Sequence, residues 1–120
     1  MPASVGYLVI DTPDPQRLAP FWCALLDVNV DATIGDGQFV VLSRAKDGLI
    51  VGFQQVPDAK SGKNRLHLDL IVDDLDTATA EIEALGGRWL EPGQIRDLEG
   101  FRWRLMADPD GNEFDILPPG

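Results

Sequence analysis

Two stretches of the sequence share one pattern about 60 residues apart, and this repeat decides the fold. They are Tyr7-Leu8-Val9-Ile10-Asp11-Thr12-Pro13-Asp14 and His67-Leu68-Asp69-Leu70-Ile71-Val72-Asp73-Asp74. Further along the chain the spacing increases to about 63 residues, so that Leu42 aligns with Leu105. Because duplicated units usually join across a pseudo-twofold axis, we expect matching positions of the two halves to face each other around one pocket.

The first half is predicted to contain strands and one helix. Asp14-Pro15 is typical of an N-cap followed by proline at the first helical position, whereas Pro20 predicts a helix that is short, kinked or begun late. The predicted elements are a strand over about 5–11, a helix to about 26, and strands over about 38–44 and 48–56 joined by an Asp-Gly turn.

The second half repeats this order after a linker over about 57–64, which contains Pro, Gly, Ser and Lys. Asp74 is predicted to cap a helix with apolar residues at helical spacing, and Gly86-Gly87 to end it. The other predicted elements are strands over about 66–72, 88–90, 101–107 and 112–117, with a hairpin turn over 108–112.

These elements predict an α+β fold in which two pseudo-symmetric modules form one sheet with the helices outside. We expect a single domain over 1–120, with module one over about 4–56 and module two over about 65–118.

Composition excludes several classes of protein. Ten basic and 20 acidic residues give a formal charge of −10, which has the wrong sign for binding nucleic acid. Such a charge favours solubility or attracts cationic ligands. The sequence shows neither a signal peptide nor an apolar run long enough to span a bilayer, so we expect a cytoplasmic protein without membrane contact. The single cysteine, Cys23, is predicted to lie in the core.

Polar residues gather on two strands of the second half. Because side chains alternate along a strand, His67 and Asp69 share one face of the predicted strand over 66–72. Asp115 lies on the face of the last strand opposite Phe114 and is the candidate partner of His67. Imidazole and carboxylate together suit a divalent metal, acid/base chemistry or an ion pair, and the spacing does not choose among them.

The first half offers no comparable set. His67 aligns with Tyr7, Asp69 with Val9 and Asp115 with Gly52. Further candidates for the pocket are Gln54, which shares a face with Gly52, and Trp103. As an alternative to a ligand site, Arg104 could bridge Asp69 or Asp115 in a structural ion pair.

The motifs resemble the glyoxalase-like branch of the vicinal oxygen chelate superfamily over nearly the whole chain. The resemblance is carried by 67–74, by the helix ending in Gly86-Gly87, by 108–115, and by Asp14 with Phe21-Trp22. It implies paired βαβββ modules, a sheet curled into a cup, and a homodimer. Members of this superfamily include metal-dependent glyoxalases, dioxygenases and epimerases, antibiotic-modifying enzymes and metal-free drug-binding proteins.

The resemblance also implies where a metal would bind. Metal-dependent members place ligands at positions that correspond here to Tyr7, Gly52 (or Gln54 if the register slips by two), His67 and Asp115. Only His67 and Asp115 are ligand types, so the divalent-metal set predicted in this way is incomplete.

Three functions follow as hypotheses. The first is a protein that binds a small organic molecule between its modules, with acid/base chemistry of the lyase or isomerase type through His67. Its expected lining is Tyr7, Gln54, His67, Asp69, Trp103 and Asp115. The second is a metal-dependent lyase, isomerase or dioxygenase using His67 and Asp115. The third is an antibiotic-sequestering resistance protein.

Overall fold

A computed structural model describes residues 2–120 of the chain. The chain divides into two compact units, Met1–Ala59 and Lys60–Gly120, and each contains one helix and a mixed β-sheet. The α+β fold class predicted from the sequence is therefore confirmed, but each unit has its own sheet in place of the single sheet that the sequence predicts. Neither helix within residues 2–120 has the length and apolar character needed to cross a bilayer.

The first unit has the order βαβββ. Its elements are β1 (Leu8–Thr12), α1 (Pro15–Leu26), β2 (Val30–Ile34), β3 (Phe39–Leu42) and β4 (Val51–Gln55). The strands follow the order β1-β4-β3-β2 in the sheet, with β1 parallel to β4 and the other neighbours antiparallel.

The second unit repeats this order with one additional strand. Its elements are β5 (Asp69–Ile71), α2 (Leu75–Ala84), β6 (Arg88–Trp89), β7 (Arg96–Leu98), β8 (Phe101–Ala107) and β9 (Glu113–Leu117). The strands follow the order β5-β9-β8-β6, β5 is parallel to β9, and the additional strand β7 pairs with β8.

The residue patterns did not predict β2 or β7. Only one of the five residues of β2 is even partly buried, and all three residues of β7 are exposed. β2 alternates apolar and polar residues from Val30 to Ile34, so its sequence carries a strand signal that the prediction overlooked, whereas β7 has only three residues and shows no alternation. The strand predicted over 66–72 is also shorter than expected, since β5 begins only at Asp69.

Helix α1 begins where the sequence predicts, but Pro20 does not shorten it. The Asp14 side chain accepts a hydrogen bond from the Arg17 N–H at 3.2 Å, and the helix then continues for 12 residues. The prediction of a short or late helix is wrong because proline removes only one backbone hydrogen bond. Leu18 and Trp22 are buried on either side of it, and this packing holds the helix.

Helix α2 matches its prediction closely. Asp74 accepts hydrogen bonds from the backbone N–H of Thr77 at 2.8 Å and from its hydroxyl at 2.6 Å. Gly86 follows the helix with a φ of 97°, the left-handed conformation that glycine adopts without strain. The helix packs on β6 and β9, with Ile82 fully buried.

The strand registers show how the two halves correspond. Val9 lies opposite Gly52 in the first unit, and Asp69 lies opposite Asp115 in the second, as the repeat predicts. The equivalence of Leu42 with Leu105 is wrong by one residue. Leu105 lies opposite Asp115, and the residue opposite Gly52 is Val41, so Leu105 corresponds to Val41 and not to Leu42.

Replacing Ile82 with alanine should lower the free energy of unfolding by about 2–5 kcal/mol, because a fully buried side chain leaves a cavity. Leu85→Ala is the matched control, since Leu85 is 40% exposed at the end of the same helix. Its cost should be below about 1 kcal/mol in urea denaturation. Equal costs would contradict the assigned core.

Candidate functional site

The parallel pairing of β5 with β9 brings two carboxylates together. Asp69 and Asp115 are direct cross-strand partners, so their side chains share one face of the sheet. His67 precedes β5, and its Nε2 atom lies 3.4 Å from Asp69 Oδ1 and 3.3 Å from Asp115 Oδ2. All three groups belong to the second unit, and their ligand atoms lie within 4.8 Å of one another.

The three side chains differ in their exposure to solvent. The side chains of His67 and Asp69 are 46% and 42% exposed, whereas that of Asp115 is only 9% exposed. Burial and the adjacent Asp69 carboxylate raise the pKa of Asp115 to about 6, against the opposing effect of His67. Within residues 2–120, Asp115 Oδ1 is buried and has no hydrogen-bond partner. A buried carboxylate oxygen without a donor is costly, and a bound cation would remove that cost.

Other predicted site residues lie on the same face or in the other unit. Leu105 is opposite Asp115, and Trp103 is two residues away along β8, so both side chains share the Asp115 face. Tyr7 and Gln54 belong to the first unit and are exposed. Gln54 lies opposite Asp11, which places Gly52 and not Gln54 at the position opposite Val9.

Arg104 does not bridge either carboxylate of the cluster, so that alternative is wrong. Its neighbours on β8 point to the Asp115 face, and Arg104 itself points to the helix side of the sheet. There its guanidinium donates to Asp76 at 2.8 Å and to the Thr79 hydroxyl at 2.9 Å. It also lies 4.3 Å above the centroid of the Trp89 ring. The register of β8 decides this direction, and the alternating sequence leaves it open.

The segment that leads into the site contains Asn64, which the sequence pattern predicts only as part of a linker. The Asn64 side chain is hydrogen bonded to the backbone of Leu66 and to both backbone polar groups of Glu113. The neighbouring Lys63 forms an ion pair with the Glu113 side chain, which lowers the pKa of Glu113. The only sequence signal for this role was the position of Asn64, three residues before His67.

The donor set fits a divalent metal ion. One imidazole nitrogen and two carboxylates are suitable ligands, and together they would balance the charge of a dication. Convergence of the three groups and the unpaired Asp115 Oδ1 support this fit.

Comparison with known families identifies the fold. A model of a family described as a glyoxalase-like domain matches residues 7–117. The chain belongs to this glyoxalase-like domain family. The resemblance found in the sequence motifs is therefore confirmed. No curated protein matches the sequence of this glyoxalase-like domain.

Several solved structures share this fold. FosX, a genomically encoded fosfomycin resistance protein from Listeria monocytogenes, aligns with 17% identity and a TM-score of 0.78, over 100% of this chain and 94% of that one. A glyoxalase/bleomycin resistance protein/dioxygenase family enzyme from Burkholderia phytofirmans PsJN aligns with 18% identity and a TM-score of 0.75, over 93% and 95% of the two chains.

A third structure is a variant of the Listeria monocytogenes FosX in complex with Mn(II) and 1S,2S-dihydroxypropylphosphonic acid. It aligns with 16% identity and a TM-score of 0.76, over 98% of this glyoxalase-like domain and 90% of that chain. At identities this low, all three likenesses show the fold alone.

Asp115→Asn should stabilise the metal-free glyoxalase-like domain at neutral pH. A carboxyl whose folded-state pKa of about 6 exceeds its unfolded value contributes stability below about pH 4 that is lost as the pH rises through 6. Asparagine cannot ionise, so the variant should gain roughly 1–3 kcal/mol over wild type at pH 7.5 and lose that advantage near pH 4.

The measurement is urea denaturation across this pH range with chelator present. Asp73→Asn is the control, because it removes the same charge at an exposed position. An advantage of Asp115→Asn that is independent of pH, or equal in the control, would contradict the burial argument.

Proposed function

We propose that this glyoxalase-like domain binds a divalent metal ion through His67, Asp69 and Asp115, and that a small organic molecule completes the coordination of the ion. The observation that carries the proposal is the convergence of three ligand atoms within 4.8 Å, one of them on a carboxylate with an unpaired buried oxygen. Exposed acidic groups often cluster without a metal, but a buried oxygen without a donor is rare and calls for a partner.

Asp69 makes this proposal different from the one that the family resemblance implied. Among the implied ligand positions, Tyr7 and Gly52 offer no suitable ligand. Asp69 supplies a third ligand beside His67 and Asp115, so the set is contained in residues 60–120. A set with one imidazole and two carboxylates favours Mn(II) or Fe(II) over softer metals. The Mn(II) in the complex of the FosX variant is consistent with this choice.

The ion would act as a Lewis acid on an oxygen of the bound ligand. The protein would hold and orient that ligand on the Asp115 face, where Trp103 and Leu105 provide apolar surface beside the carboxylates. Three protein ligands leave coordination positions open for substrate oxygens, an arrangement typical of catalytic metal sites. We infer a lyase or isomerase reaction, with oxygenation as the alternative that an Fe(II) centre would allow.

We further infer that both units act as one domain, since the family match spans the boundary between them. Tyr7 and Gln54 belong to the first unit and the metal ligands to the second. A homodimer is the expected assembly.

A metal-free function is the second candidate, and one observation favours it. His67 Nε2 is close to both carboxylates and is half exposed, so it could exchange a proton with a bound molecule. Binding without turnover is the limiting case and would make the protein a sequestering one. The formal charge of −10 would then favour cationic ligands.

The metal proposal predicts that purified protein binds Mn(II) or Fe(II) with one ion per chain. Each of His67→Ala, Asp69→Ala and Asp115→Ala should weaken this affinity at least about 100-fold, because each removes one of only three protein ligands. Isothermal titration calorimetry measures the affinity, and Asp73→Ala controls for the lost charge. Absence of binding by the wild type to Mn, Fe, Zn and Ni would sink the proposal.

Treatment with a chelator separates the two candidates. We expect the chelated protein to lose its affinity for small oxygen-bearing ligands found by screening the Mn(II)-loaded protein, and to regain it when Mn(II) is restored. Retention of ligand binding after chelation, together with its loss in His67→Ala, would favour the metal-free function instead.

A further inference from the structure

The segment that carries His67 is not part of a regular strand. β5 begins at Asp69, and the backbone immediately before it, through His67, is irregular. Such a segment needs other contacts to hold a side chain in place, because it lacks a continuous ladder of hydrogen bonds. Two contacts with β9 supply this support, one on each side of His67.

The contact on the C-terminal side is an ordinary backbone hydrogen bond. The N–H of Asp115 donates to the carbonyl of Leu68 at 2.9 Å. It fixes the backbone just after His67 to the residue whose carboxylate His67 approaches.

The contact on the N-terminal side is made by a side chain. Asn64 Nδ2 donates to the Leu66 carbonyl at 3.1 Å and to the Glu113 carbonyl at 3.3 Å, while Asn64 Oδ1 accepts from the Glu113 N–H at 3.2 Å. The amide thus occupies both backbone groups of Glu113, as a neighbouring strand would. It joins the carbonyl just before His67 to the strand that carries Asp115.

We propose that Asn64 is a positioning residue for the candidate metal centre. Its amide fixes the distance between the segment bearing His67 and the strand bearing Asp115, so that the imidazole reaches both carboxylates. The effect on metal affinity rests on the proposed function, whereas the effect on the position of His67 does not. Removing an outer residue that orients a metal ligand commonly weakens metal affinity about 10-fold to 100-fold.

Only a side chain that both donates and accepts can make these contacts. Aspartate has nearly the same shape as asparagine but only accepts, so it keeps the bond from Glu113 N–H and loses both donated bonds. The ion pair between Lys63 and Glu113 cannot replace them, because the Lys63 side chain is 68% exposed. It also holds no backbone atom next to His67.

The test uses Asn64→Ala and Asn64→Asp, with Ser61→Ala as a control in the same exposed segment. Mn(II) affinity is measured by calorimetry below the melting temperature of each variant. We expect both Asn64 variants to bind Mn(II) about 10-fold or more weakly and the control to match wild type. Asn64→Asp is the sharper test, because an added negative charge alone would strengthen the binding of a cation.

A second readout works on metal-free protein. The chain has one histidine, so its imidazole Hε1 proton gives a single, assignable NMR signal. In both Asn64 variants this signal should move toward the position of an unstructured histidine, while the dispersed backbone spectrum stays folded. An unchanged His67 signal together with Mn(II) affinity within twofold of wild type would overturn the role of Asn64.

The two readouts keep this inference apart from the proposed function. If wild type binds no metal, the proposed function fails, and the histidine signal alone decides about Asn64. If His67→Ala abolishes Mn(II) binding but neither Asn64 variant changes the affinity or the signal, the metal centre stands and Asn64 is only part of the linker.

Discussion

The structure of each unit depends on the parallel pairing of its first strand with its last. Parallel strands cannot be joined by a tight turn, so the chain must cross over through a helix before the last strand returns beside the first. β1 with β4 and β5 with β9 both follow this rule. In the second unit the register of this pair places one carboxylate directly opposite another, and everything inferred about the site follows from that placement.

Like charges opposite each other on neighbouring strands destabilise a sheet. The raised pKa of Asp115 and its buried oxygen without a hydrogen-bond partner both reflect the free-energy cost of burying this carboxylate opposite Asp69. The first unit carries Val9 and Gly52 at the equivalent pair, which shows that the fold itself does not need the carboxylates. A locally unfavourable arrangement that the fold does not require is typical of a functional site, where stability is lost for binding.

The sequence predicted the features that carry a local signal. The repeat gave the correspondence of Val9 and Gly52 with Asp69 and Asp115, and Asp74 with Gly86 marked both ends of α2. The alternation in β2 was overlooked, and β7 was missed because three exposed residues carry no such signal. The direction of Arg104 depends on the register of β8, which a sequence of alternating arginine and apolar residues leaves undetermined. Asn64 was missed because its hydrogen-bond partner lies in Glu113, far along the chain.

We infer that His67, Asp69 and Asp115 form one metal-binding centre within a single unit. The decisive measurement is an anomalous difference map from crystals soaked in Mn(II). We expect one peak per chain at a direct coordination distance, about 2.0–2.3 Å, from His67 Nε2 and from an oxygen of each carboxylate. A crystal fully exposed to Mn(II) that shows no peak there, while His67 Nε2 stays close to both aspartate side chains, would rule out this metal centre.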